Sequence, residues 1–147
     1  NSYLPIEKVP SVRDIVRPIR DLAVNVYGKK LLALFEPPTG LDHPPFWFNL
    51  SETGDSTGVH NHARESLVSG VYYLEVPIDS GDLFFRSDGE EDFSLVPKAG
   101  SVVLFPSELR HGVRMNSSSG KRISLAFNLF AFPLPIFREE TFGAEVP

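Results

Sequence analysis

Hydrophobic and polar positions along the 147-residue chain fall into one helical stretch followed by a long series of short alternating runs. Residues 1–10 hold Pro5 and Pro10 and read as an extended lead-in. Apolar residues then recur at Val12, Ile15, Val16, Ile19, Leu22, Ala23 and Val26, the spacing of a helix with one buried face. Ser11 suits the N-cap, with Asp14 three positions on, and Gly28 suits the stop. Pro18 predicts a kink or a restart within that helix. Residues 31–35 are compatible with a strand or a short helix. Pro37, Pro38, Pro44 and Pro45 make the rest of the stretch to residue 45 a loop.

From Phe46 the period changes. Strand-like runs cover 46–50, 59–62, 67–76, 83–86, 93–96, 101–105, 111–115 and 122–132, eight in all. Polar turns separate them at 51–58, 79–82, 88–92 and 116–120. Turns every eight to twelve residues indicate an all-β sandwich or barrel. A double-stranded β-helix, the jelly roll, fits best, with the N-terminal helix packed outside. The length predicts one domain over 1–147. Residues 1–45 form the helix and lead-in, 46–132 the jelly-roll core and 133–147 a tail.

Composition narrows the class of function. Hydrophobic residues make up 41% of the chain, enough for a real core. The net charge of −5 argues against general nucleic-acid binding. With no cysteine, disulfides, thiolate metal sites and cysteine nucleophiles are excluded. No apolar run is long enough for a membrane helix, and the N-terminus lacks the features of a signal peptide. The expectation is a cytoplasmic protein, monomeric or homodimeric, acting on a small-molecule or other unknown substrate. The first residue is not Met, so the chain reads as a trimmed form or a fragment.

Three of the four histidines stand in two places, His60-Asn61-His62 and His111. Residues two apart in a strand share a face, so His60 and His62 can meet one ion there. With His111 they form a candidate metal site, since imidazole suits iron, zinc, copper and nickel. His43, beside Pro44 and Pro45, reads as a loop residue. Glu65 suits a partner of a ligand or a surface charge better than a ligand, and Asp82 suits a turn. Eleven residues after His111 stands Arg122, with Ser124 on the same strand face. A guanidinium and a hydroxyl there suit a carboxylate. Tyr72 and Tyr73 alternate, so only one can face the interior and bond an acid. Asn49 and Asn128 are polar residues in apolar strands, facing either the site or solvent.

The order Phe46-Trp47-Phe48-Asn49, His60-Asn61-His62, Ser69-Gly70-Val71-Tyr72-Tyr73, Gly100 to Ser107, His111-Gly112-Val113 and Arg122-Ile123-Ser124 resembles a known family. It is similar to the ferrous-iron, 2-oxoglutarate-dependent oxygenases, in the uncharacterised branch with a Ser-Gly-Val-Tyr-Tyr core. The resemblance spans roughly residues 46–130. It implies a jelly-roll oxidoreductase, a dioxygenase using Fe(II), 2-oxoglutarate and molecular oxygen to hydroxylate a substrate. By position, His60 and His111 match the family's histidine ligands, Arg122 its co-substrate anchor and Ser124 the accompanying hydroxyl. One departure stands out. The wider superfamily places a carboxylate two residues after the first histidine, completing a facial triad, and here that position is His62. Either the site is three-histidine, a carboxylate such as Glu65 arrives from elsewhere, or the position is open. Two rival readings stay in play: a cupin-type dioxygenase or isomerase without 2-oxoglutarate, and a non-catalytic jelly-roll binding module.

Overall fold

A computed structural model describes residues 1–36, 43–63 and 66–134. Helix α1 covers Ser11–Tyr27. Its N-cap is Pro10 rather than Ser11, with no side-chain cap, because Pro10 already has helical backbone angles and draws Ser11 into the first turn. Pro18 lies inside the continuous helix, and Gly28 closes it at φ 64°, its N–H donating to Val24 O. Val12, Val16 and Ala23 are buried, whereas Leu22 and Val26 are 50% and 66% exposed. The expected stripe is therefore narrower than its sequence pattern; Leu22 sits about 100° round the helix from Ala23, at the edge of the buried face.

Among the described residues nine strands follow, one more than the pattern suggests: β1 (Leu31–Ala33), β2 (Phe46–Ser51), β3 (Thr57–His60), β4 (Val68–Glu75), β5 (Leu83–Arg86), β6 (Phe93–Leu95), β7 (Val102–Pro106), β8 (Arg110–Val113) and β9 (Arg122–Ala131). The addition is β1, from the stretch that was compatible with helix or strand. All pairings are antiparallel. One sheet has β7, β4 and β9 side by side, with β2 and β1 sharing the far edge of β9 end to end. The other runs β3-β8-β5-β6. This is the two-sheet jelly-roll architecture the turn spacing predicts.

Alternation along β9 divides the molecule. Leu125, Phe127 and Leu129 point to the helix and are fully buried with Phe46, Val68, Val12, Val16 and Ala23. Burial of side chains of this size stabilises by roughly 1.5–3 kcal/mol each. Gly70 lets Phe127 lie across β4, since a Cβ there would stand 2.3 Å from the ring. By the same alternation Arg122, Ser124, Ala126 and Asn128 share the opposite face, toward the second sheet.

Candidate metal centre

A β-bulge builds the histidine cluster. Thr57 pairs with Val113 and His60 with His111, so three steps along β3 match two along β8. In a regular pairing Val59 would oppose His111 and His60 would point outward. The extra residue turns His60 inward beside its partner, and Thr57 and His60 both line the same cavity. β3 ends at His60, so His62 does not share a strand face with it, contrary to the simple alternation argument. His62 reaches the cluster from the following turn, where its N–H donates to Ser107 O at 2.8 Å.

The ring centroids of His60 and His111 are 4.4 Å apart, with His62 at 5.0 and 5.4 Å from them. One ring nitrogen of each lies within 4.8 Å of the others. Nitrogens sharing an ion at about 2.0–2.1 Å stand roughly 3–3.5 Å apart, so a modest closure completes the site. The tautomers are set by the backbone. Nδ1 of His60 lies 2.8 Å from Gly58 O and Nδ1 of His111 2.9 Å from Leu109 O. A carbonyl only accepts, so each Nδ1 carries the proton and each Nε2 keeps its lone pair. Burial first, then the neighbouring histidines, holds His62 down to about 4. Burial also lowers His111, against the opposing pull of its bond to Leu109 O. Burial thus favours the neutral, ligand-competent form of both rings. The Glu65 alternative lies outside the described residues.

The cluster opens into a cavity of about 410 Å³ between the sheets, within the size range of small-molecule sites. Its wall is mostly apolar, including Trp47, Val71, Leu83, Phe105 and Val113, with Asn49, Ser69 and Asn128 as polar points. Trp47 stacks near His62 at 5.5 Å and Phe105 edges onto His111 at 4.6 Å. Among the described residues no carboxylate lines it. His43 does, although its sequence context suggested only a loop. Trp47 and Thr57 are further wall residues that sequence reasoning missed. Trp47 could have been found by parity with Asn49; Thr57 could not, because its direction depends on the bulge.

The strand face beyond the cavity is polar. Tyr73, Ser124 and Asn49 stand in one cross-strand row, and Arg122 follows on the same face. Tyr73 and Arg122 are each 4% exposed. Burial raises Tyr73 to about 12, with Arg122 opposing and Asp82 reinforcing the shift. Burial also pulls the Arg122 pKa down. Tyr72 packs on the opposite face against the helix-side core, which leaves Tyr73 as the candidate of the pair. Nη1 of Arg122 donates to Ser80 O and, at 2.9 Å, to Gly81 O. Gly81, at φ 101°, is needed there, because a Cβ would stand 2.1 Å from Arg114 O and 3.0 Å from that Nη1. Nε and Nη2 have no hydrogen-bond partner among the described residues. Arg122 does not itself line the cavity. Asp82 stands just past the 78–80 turn rather than in it, its carbonyl accepting Arg114 N–H across to the β8 side. No helix of the described residues is long and apolar enough to cross a membrane.

Residues 87–128 match the family described as "Putative 2OG-Fe(II) oxygenase". The match contains His111, Arg122, Ser124 and Asn128 but not His60 or His62, whose placement rests on geometry. Curated proteins give no match. A 2OG-Fe(II) oxygenase family oxidoreductase from Burkholderia pseudomallei shares the fold at TM-score 0.67 and 18% identity, over 84% of this chain and 57% of its own. The non-heme alpha-ketoglutarate-dependent epimerase SnoN of nogalamycin biosynthesis aligns at TM-score 0.59 and 18% identity, over 77% and 52%. A Pseudomonas putida prolyl-4-hydroxylase aligns at TM-score 0.50 and 27% identity, over 64% and 55%. The chain thus spans little more than half the length of these structures. The family match and the shared fold bear out the resemblance of this chain to the 2OG-Fe(II) oxygenases.

Proposed function

We propose that this chain carries the catalytic core of an Fe(II)- and 2-oxoglutarate-dependent dioxygenase that hydroxylates a small, largely apolar substrate. One observation carries the reading: two backbone carbonyls fix the tautomers of His60 and His111, leaving their Nε2 lone pairs for an ion in a cluster with His62 that lines the cavity. That donor set fits a divalent transition metal. His60, His62 and His111 would hold the ion. When bound, iron with 2-oxoglutarate and molecular oxygen supplies the oxidising power to hydroxylate an unactivated carbon.

The chain's own groups bind and orient. The polar row of Ser124, Tyr73 and Asn49 and the spare donors of Arg122 offer a seat for the far carboxylate of a five-carbon diacid. A buried guanidinium without a carboxylate partner favours an anion beside it. Tyr73, a protonated phenol whose pKa burial raises further, donates rather than repels. Trp47, Phe105 and Val113 give the space between an apolar wall. Absence of cysteine and the expected cytoplasmic setting suit ferrous iron. The test is uncoupled turnover: Fe(II)-loaded protein should convert 2-oxoglutarate to succinate in air without added substrate, and His111→Ala should not. Succinate formation equal in both proteins would remove the assignment.

A further inference from the structure

We infer that the side-chain amide of Asn128 is a recognition point for the organic substrate, donating to a carbonyl or carboxylate oxygen held inside the cavity. This rests on the oxygenase reading of the same cavity. Asn128 is 2% exposed and lies opposite Ser69 across β9 and β4, and both residues line the cavity. Its Oδ1 accepts from Ser69 Oγ at 2.8 Å. Ser69 Oγ is 2.9 Å from Ser107 Oγ, which is 2.7 Å from Ser66 Oγ. With one proton per hydroxyl, Ser66 donates to Ser107, Ser107 to Ser69 and Ser69 to Oδ1, which leaves Nδ2 outside the chain.

Nδ2 is buried and has no hydrogen-bond partner among the described residues. Buried donors in native proteins are almost always paired, so an orphan calls for a specific cause. Phe105 and Ala126, which line the same cavity, offer no side-chain acceptor. A ligand oxygen does. The same wall selects the rest of the ligand. Its apolar and aromatic surface takes an apolar body, and with no carboxylate among the described lining residues it gives a cation no counter-charge. The substrate class is therefore a neutral or anionic molecule with an apolar body and one acceptor oxygen.

Both the substrate and 2-oxoglutarate carry acceptor oxygens, and the experiment separates them. Benzamide joins an apolar ring to a carbonyl, and benzylamine is its cationic counterpart. Calorimetry on Mn(II)-loaded protein would measure 2-oxoglutarate first, then benzamide or benzylamine on the 2-oxoglutarate complex. Asn128→Asp keeps the shape and the Ser69 bond but removes the donor. Asn128→Ala keeps the test open if the acid fails to fold, and circular dichroism checks both. The expected result is benzamide binding in the wild type, weakened about tenfold or more in each folded variant. Benzylamine should not bind, and 2-oxoglutarate affinity should stay within about twofold. Equal benzamide affinity in wild type and variants, or none in the wild type, overturns the inference. A loss confined to 2-oxoglutarate also overturns it, by giving the donor to the co-substrate. Wild-type protein that binds benzamide through Asn128 but not 2-oxoglutarate would leave the subsite standing and sink the oxygenase reading instead.

Discussion

The two ends of the cavity-facing side of this jelly roll are built on opposite plans. At the histidine end, the backbone takes one nitrogen of His60 and of His111 and leaves the other ready. Each of these side chains keeps one nitrogen for a ligand. At the arginine end, Nη1 of Arg122 already clamps the Ser80–Gly81 turn. Only its remaining donors are available to a ligand. A metal-binding cluster can thus be removed from the scaffold more cleanly than the anion seat can. Function and stability should separate at one end and travel together at the other.

The largest effect should come from the histidine end. His111→Ala is expected to abolish stoichiometric metal binding while the metal-free protein keeps its circular dichroism and melts within a few degrees of wild type. Elemental analysis and thermal melting check both halves, and collapse of the fold would erase the contrast. Next, Arg122→Ala should weaken 2-oxoglutarate binding by about 2–5 kcal/mol, the range for losing a buried charged partner. It should also destabilise the metal-free fold by about 1.5–3 kcal/mol, as its charged hydrogen bonds to the turn are lost. Denaturant melts alongside calorimetry would read both. An affinity loss with unchanged stability would mean the clamp is incidental.

Ser107 sits behind the histidines, its carbonyl holding His62 N–H and its hydroxyl buried between Ser66 and Ser69. Ser107→Ala should lower metal affinity about tenfold, at the low end of the cost of losing a group that supports a ligand. Competition with a metal chelator measures it; no change would show that His62 does not need the hydroxyl chain. The smallest effect is in pH. His62, lowered to about 4, and His111, lowered likewise, take up protons in the unfolded chain before the folded one. Their contribution to metal-free stability is fully present above about pH 6.5 and is lost as pH falls toward 4. Denaturant melts of His62→Asn across that window should show a shallower decline than wild type. Identical slopes would contradict burial as the cause of the shift.

Much of this was legible from residue order, and the remainder has identifiable causes. Period-two alternation located most of the strands because one face of the longer ones is buried; β3 and β6 are largely exposed. Parity placed Ser124 with Arg122, and extended by four more residues it would have placed Asn128 on the cavity face too. The β3 bulge was not legible, since it exists only in the pairing of Thr57–His60 with His111–Val113. Arg122 as a turn clamp was equally hidden, because its partners lie some forty residues earlier and are backbone atoms. Leu22 and Val26 misled for the opposite reason: the helix's apolar stripe is wider than the surface that covers it.

The central claim, a metal-dependent 2-oxoglutarate site at the histidine end of this cavity, is tested most directly by one titration. Under anaerobic conditions, 2-oxoglutarate is added to metal-free protein and to Fe(II)-loaded protein, with heat measured in each. The account predicts one-to-one binding to the loaded protein and at least tenfold weaker binding to the metal-free form. Equal affinity in the two, or no binding in either, would contradict it.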